Sequence, residues 1–399
     1  MSTRRVSTDR GLPSYRTFAS GPGRSRTPAK ASECYRTVMS VSITPKPGIL
    51  EIALYQGGES ALPGFVAPLK LSSNENPFGP PPSAVSAMAE AATMAHRYPS
   101  TDHKGLRHAL SEIHGLAPER IICGVGSDEI ITLLCQAYAG PGDEVLYPEH
   151  GFGMYRISAL AAGATPVTAP EKDRVVDPDA ILAAVNERTR LIFIANPANP
   201  TGTILPLAAF EELAARLPDQ CLLVMDGAYV EYAEGYDGGA KLVETRGNVV
   251  MTRTFSKVYG LGGVRVGYGY APREIIEVLT RIRGPFNLST MALMGAEAAL
   301  RDTEWVAEKL RVNADERARL TGGLRQLGVA CDDSAANFVL ARFTDEAEAD
   351  AADAHLKKRG IIVRAPKSYG LPHCLRITVG RPQDNDAVLG VLREFRGLP

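Results

Sequence analysis

Val249 to Gly267 reads VVMTRTFSKVYGLGGVRVG, and the stretch is built to hold one lysine in a fixed place. Val249, Val250 and Met251 predict a short buried strand, and the polar turn Thr252 to Ser256 then delivers Lys257. Gly260, Gly262 and Gly263 let the backbone bend or pack closely before Arg265 returns on a second apolar run, VRVGYGY. A lysine that forms a Schiff base must lose its proton, so it needs a partly dry pocket and a neighbouring positive charge. Arg265 is the candidate for that charge. An isolated Ser-Lys pair would read as a solvated turn, so the rest of the chain has to decide.

The chain has 399 residues, more than one hydrophobic core usually serves, and two lobes are expected. Its 45% hydrophobic and 22% charged residues are those of an ordinary globular protein. A net charge of −1 gives no basic footprint for nucleic acid. Cys34, Cys123, Cys135, Cys221, Cys331 and Cys374 are scattered without a CxxC pair, which predicts reduced thiols and a cytoplasmic location. The longest apolar runs, such as LIFIA at Leu191 to Ala195, are strand-sized, so no membrane span is expected. The seven histidines show no zinc spacing and no metal site is expected.

Residues 1 to 38 hold seven Arg and one Lys against Asp9 and Glu33, with Ser, Thr, Pro and Gly between them and no apolar periodicity. Such a segment cannot bury enough apolar area to offset its ordering entropy, and the reading is a disordered extension over 1–43 with Met39 as the true start. A transit peptide would share the Arg-rich, acid-poor composition, but the prolines and glycines break any amphipathic helix.

Beyond it, LSSNENPFGPPPSAVSAM passes from an extended stretch into a helix with Ser83 as its expected N-cap. RYPSTDHKGLRHALSEIHG places Tyr98 in a turn before an amphipathic helix that carries Leu106, Leu110 and Ile113. RIICGVGSDEIITLLCQAY is a strand, a glycine turn and a helix starting at Ser127, an arrangement that aims backbone N–H groups and the helix dipole at one point. Gly126, Ser127 and Asp128 are therefore a candidate anion cradle. EVLYPEHGFGMYRISALAAG puts Phe152 after another strand, and TRLIFIANPANPTG puts Asn199 in a proline-stiffened turn. CLLVMDGAYVEY ends an apolar strand on Asp226, a costly place for a carboxylate unless a cation meets it. Strands and helices alternate throughout, which predicts a parallel, doubly wound sheet with its candidate residues at the carboxyl ends of the strands. Near the C-terminus Arg364 ends the strand IIV and Arg376 lies inside LRITV, where a charge needs an anionic partner.

Taken in order, NENPFGP, RYP, GSDE, HGFGMY, NPTG, DGAY, TFSK, GLGGVR, GIIVR and LRITVG resemble the pyridoxal-phosphate aminotransferases of fold type I, and more narrowly their histidinol-phosphate aminotransferase branch. The resemblance covers about Thr44 to Phe395. It implies a large domain (76–300) with a mostly parallel seven-stranded sheet flanked by helices, a smaller α/β domain (301–399) and an N-terminal arm (44–75). It also implies a homodimer with shared active sites. Lys257 would carry pyridoxal 5'-phosphate, with Asp226 at the ring nitrogen, Tyr229 and Asn199 at the phenolate oxygen and Phe152 against the ring. Ser256, Arg265, the Gly126 to Asp128 backbone and Tyr98 of the partner chain would grip the phosphate. Asn196 would brace the loop. Gly227 stands where the family more often has glutamate, which touches only local packing. Tyr55, Asn199, Arg364 and Arg376 would bind substrate, histidinol phosphate in one half-reaction and glutamate or 2-oxoglutarate in the other. Aromatic aminotransferases and a phosphothreonine decarboxylase share the scaffold, so the substrate stays open at this point. A transcription regulator of the same fold would need a DNA-binding domain before residue 44, and no helix-turn-helix pattern is present there.

Overall fold

The computed structural model describes residues 44–55 and 57–398, so the expectations for residues 1–43, the disordered extension and the start at Met39, lie outside the described residues. Contacts divide the chain after Pro45, and the sheets and the site all belong to the unit from Lys46 onward.

Seven strands form the central sheet: β1 (Ile121–Gly124), β2 (Glu144–Pro148), β3 (Thr165–Ala169), β4 (Thr189–Ala195), β5 (Leu222–Asp226), β6 (Val249–Thr254) and β7 (Gly267–Tyr270). Their spatial order is β1-β7-β6-β5-β4-β2-β3. Every neighbouring pair is parallel except those of β7, which runs antiparallel between β1 and β6. The expected α/β architecture is therefore present. Its strands read as unbroken apolar runs because both faces of the sheet are covered. Ile192, Ile194, Leu223, Met225 and Met251 point into one core, while Leu191, Phe193, Val224 and Val250 point into the other, the alternation that a pleated strand imposes.

Helix Ser127–Tyr138 begins where the glycine turn predicts. The helix at 82 does not begin at its expected cap. It runs Pro82–Ala92 with Pro81 at the N-cap, because proline is already set for the first helical turn, and Ser83 Oγ instead donates to Asp302 Oδ2 at 2.7 Å. In helix Lys104–His114 Leu106 and Leu110 are buried as expected, but Ile113 is 38% exposed.

A three-stranded antiparallel sheet, Ala330–Cys331, Phe338–Arg342 and Cys374–Thr378, makes a further core with helices Glu346–Lys358 and Pro382–Phe395. The long helix Thr303–Gln326 serves two cores. Val306 and Leu310 pack on that of the large sheet, and Leu320 and Leu324 are buried in that of the small one. The strand Leu69–Lys70 pairs in parallel with Ile361–Ile362, which brings the residues just before the NENP stretch beside the C-terminal arginines.

Candidate active site

A cavity of about 270 Å³ opens where β1, β2, β4, β5 and β6 end, and all the residues expected to bind cofactor or substrate line it except Gly126 and Tyr98. The turn after β6 carries Lys257 to its centre. Its Nζ donates to the Ser73 carbonyl at 3.4 Å and stands 5.4 Å from the centre of the Tyr229 ring. Burial lowers the Lys257 pKa to about 8, with the charge of Arg376 next in effect and Arg265 a smaller contributor against Asp128 and Glu75. The expected neighbouring cation is present, but the stronger one comes from the small sheet rather than from Arg265.

Arg265 takes a positive φ of 64° and turns back toward the start of helix Ser127–Tyr138. One of its nitrogens donates to Ser256 Oγ at 3.1 Å and to the Gly262 carbonyl at 3.0 Å, and another pairs with Asp128 Oδ2 at 2.9 Å. Gly126 caps the helix with φ 76° and no side-chain hydrogen bond, and a Cβ there would lie 2.6 Å from the Arg265 guanidinium. The helix start therefore keeps N–H donors unclaimed by any capping side chain, beside a guanidinium and the Ser256 hydroxyl, a setting for a phosphate-sized anion. The Asp128 carboxylate is already held by Arg265.

Asp226 ends β5 fully enclosed. It accepts hydrogen bonds from Tyr155 Oη at 2.7 Å, Thr252 Oγ1 at 3.2 Å and the Ala228 amide at 3.2 Å. Burial raises its pKa, and the Tyr155 hydrogen bond works against that rise. Asp226 lines the cavity, where a protonated ring nitrogen would suit it. Tyr229 Oη receives a hydrogen bond from Asn74 Nδ2 at 2.9 Å. Phe152 precedes helix Gly153–Ala162 and meets the Tyr155 ring edge-on at 5.9 Å. Asn199 lies half-buried in the NPTG turn, which Asn196 braces by a reciprocal pair with the Leu205 backbone at 3.0 and 2.8 Å.

Across the cavity Arg376 is buried in its strand. It donates to Asn199 Oδ1 and to the Ser72 carbonyl at 2.8 Å, and its guanidinium lies 5.3 Å from the centre of the Phe338 ring. Its Nε is buried without a partner. Arg364 exchanges backbone hydrogen bonds with Arg376 and reaches the Gly57 carbonyl at 2.8 Å. Tyr55 closes the rim, 59% exposed.

Among the residues of the site that sequence does not foresee are Asn74, Tyr155 and Tyr369. Asn74 sits in the NEN stretch, where nothing marks it for a role. Tyr155 follows Phe152 by three positions, one helical turn, and a tyrosine on a buried helix face needs a partner for its hydroxyl. Tyr369 carries no sequence signal. Tyr98 stands apart, 82% exposed and stacked on Phe286 at 4.5 Å between ring centres.

A lysine poised near neutrality between an anion cradle and a buried carboxylate, at the carboxyl edge of such a sheet, defines an amine-handling enzyme site. The sequence model for aminotransferase class I and II matches residues 67–392, and the chain belongs to that family. Histidinol-phosphate aminotransferase of Jannaschia sp. (strain CCS1) is 71% identical over 354 residues, 89% of this chain and 98% of that protein. The enzyme of the same name from Roseobacter denitrificans is 64% identical over 356 residues, 89% of this chain and 99% of that one. The crystal structure of histidinol-phosphate aminotransferase from Sinorhizobium meliloti, in complex with pyridoxal-5'-phosphate, superposes with a TM-score of 0.82 at 28% identity, covering 90% of this chain and all of that one.

Proposed function

We propose that this protein moves an amino group between L-histidinol phosphate and 2-oxoglutarate, giving imidazole acetol phosphate and glutamate, with pyridoxal 5'-phosphate as cofactor. The observation that carries the reading is the pair of cationic centres flanking Lys257: Arg265 beside the helix start, and Arg376 with Arg364 across the cavity. A phosphorylated cofactor uses one, and a substrate that is itself a phosphate or a dicarboxylate uses the other. The names of the relatives support the choice of substrate.

When bound, the cofactor supplies a ring that accepts the electron pair left as the substrate carbon loses its proton. The protein supplies attachment, orientation and proton movement. Lys257, with its pKa lowered from 10.5 to about 8, has far more free amine near neutral pH than an ordinary lysine, both for covalent attachment and for carrying a proton between carbons once released. Asp226, oriented by Tyr155 and Thr252, would keep a proton on the ring nitrogen. Tyr229 and Asn199 would hold the phenolate oxygen, with Asn74 fixing the tyrosine hydroxyl. Phe152 would lie against the ring. Ser256, Arg265 and the backbone of Gly126, Ser127 and Asp128 would bind its phosphate, while Tyr55, Arg364 and Arg376 would receive the substrate's anionic end. We further propose a homodimer in which the exposed Tyr98 reaches the phosphate of the partner's site.

The test is a panel of amino donors with 2-oxoglutarate as acceptor. Histidinol phosphate should be turned over in preference to phenylalanine, tyrosine and other donors. Indifference to it would sink the substrate assignment.

A further inference from the structure

His150 follows the end of β2, two residues before Phe152, and lies mostly buried with 12% of its side chain exposed. Its Nδ1 stands 2.6 Å from the backbone carbonyl of Tyr369, which belongs to the short turn Lys367–Tyr369 that follows Arg364 and the strand Ile361–Ile362. A carbonyl only accepts, so Nδ1 carries the hydrogen. Nε2 faces the Glu149 carboxylate at 3.8 Å. Glu149 in turn accepts from the Glu171 backbone amide at 3.0 Å, and its own amide donates to the Ala169 carbonyl at the end of β3 at 2.9 Å, which anchors this corner to the large sheet. Gly370, directly after Tyr369, has φ 74°, and a Cβ there would lie 3.7 Å from the His150 ring. One imidazole thus ties the loop bearing Phe152 to the turn bearing Tyr369.

Tyr369 is the part of that turn that reaches the cavity. Its side chain is half-buried. Burial raises its phenol pKa while Arg376 and Arg364 oppose the rise, and Tyr55 and Tyr229 also lie within electrostatic reach. The phenol therefore stands among the groups assigned to the substrate's anionic end. The turn is short. Its own backbone bonds, from the Tyr369 amide to the Pro366 carbonyl at 3.0 Å and from the Gly370 amide to the Lys367 carbonyl at 3.0 Å, fix its curl but not its position against the large sheet. Lys367 pairs with Glu346 and Asp350 at 2.7 Å, which ties the turn to helix Glu346–Lys358, and the His150 hydrogen bond ties its other end to the loop after β2.

We propose that His150 is a positioning residue for substrate selection, holding the 367–369 turn so that Tyr369 forms one wall of the substrate pocket beside Arg364 and Arg376. This role rests on the proposed transamination only for the choice of substrate. Losing one hydrogen bond to a short turn should act on substrate binding and leave the cofactor end untouched, because Phe152 and Lys257 keep their own supports.

The experiment compares His150→Leu, His150→Asn and Tyr369→Ala in the full-length, cofactor-loaded enzyme, by steady-state kinetics and by absorbance titration of pyridoxal phosphate. His150→Leu should raise KM for histidinol phosphate about fivefold, with kcat changed less than about twofold and cofactor affinity unchanged. His150→Asn places an amide nitrogen where Nδ1 stands and should restore KM to near the wild-type value. The double variant His150→Leu/Tyr369→Ala should be no worse than Tyr369→Ala alone, since the latch acts through that ring. An unchanged KM in His150→Leu, additive effects in the double variant, or loss of cofactor affinity would each overturn the proposal. Wild-type enzyme that ignores histidinol phosphate contradicts the substrate assignment, and the same KM comparison with glutamate then decides the latch separately.

Discussion

Burial first and the like charge of Arg376 second hold the Lys257 amine below its ordinary pKa, which gives a pH dependence that can be measured. Below about pH 8 the Lys257 amine is increasingly protonated and cannot attack an aldehyde, so the rate of covalent cofactor attachment should climb to an inflection near 8 and then level off. Removing a neighbouring cation makes the protonated amine less costly, so Arg376→Ala should move that inflection upward. A downward shift, or none, would show that Arg376 does not act on the lysine. Lys257→Ala should abolish transamination, and borohydride reduction followed by peptide mapping should place the label on Lys257 and on no other lysine. Tyr155→Phe removes a hydrogen bond that opposes the raised pKa of Asp226, leaving the carboxylate a poorer partner for a ring nitrogen. We expect kcat to fall about tenfold and stability to drop by no more than the ~1.5–3 kcal/mol that a charged hydrogen bond is worth, with the variant still folded. An unchanged kcat would remove Tyr155 from the site. The sequence displays Lys257, Asp226 and Asn199 because each sits at a strand end or in a named turn. It conceals Asn74 and Tyr369 because their partners lie 155 residues away at Tyr229 and 219 away at His150, contacts that only the folded chain creates.

At the scale of elements, the antiparallel β7 is the piece that local pattern does not reveal. VRVGYGY reads as an apolar run, and an apolar run alone carries no direction. The first residue of β7, Gly267, is opposite Gly124 on one side and Thr254 on the other. A Cβ at 267 would lie 2.4 Å from the Ser127 amide nitrogen and 2.5 Å from the Gly126 carbonyl carbon, both backbone atoms of the anion cradle. Gly267→Ala should therefore displace the helix start, lowering stability by about 2–3 kcal/mol and weakening cofactor binding. Gly263→Ala has open space around its Cβ position and serves as the control. Equal melting temperatures and cofactor affinities for the two variants would contradict this view of the cradle. The helices are easier to read than their ends: Ser83 has the chemistry of a cap, yet Pro81 and Pro82 set the start ahead of it. We also propose that the large and small domains meet near residue 301, on the ground that helix Thr303–Gln326 passes from one core to the other.

For the whole molecule, the composition contrast at the N-terminus predicts that a chain beginning at Met39 keeps full activity and thermal stability, and a marked loss of either would count against that start. Among the described residues no helix is long and apolar enough to cross a membrane. The most direct measurement of the proposed activity is kcat/KM for histidinol phosphate beside that for phenylalanine, in the wild type and in Arg376→Ala, with 2-oxoglutarate as acceptor. The buried guanidinium of Arg376, with Arg364 bonded to its backbone, suits a dianionic phosphate better than the single carboxylate of phenylalanine. The wild type should show a clear preference for histidinol phosphate, and Arg376→Ala should lose at least about tenfold of that efficiency. A wide preference for phenylalanine or tyrosine in the wild type would contradict the proposal and assign the site to an aromatic aminotransferase.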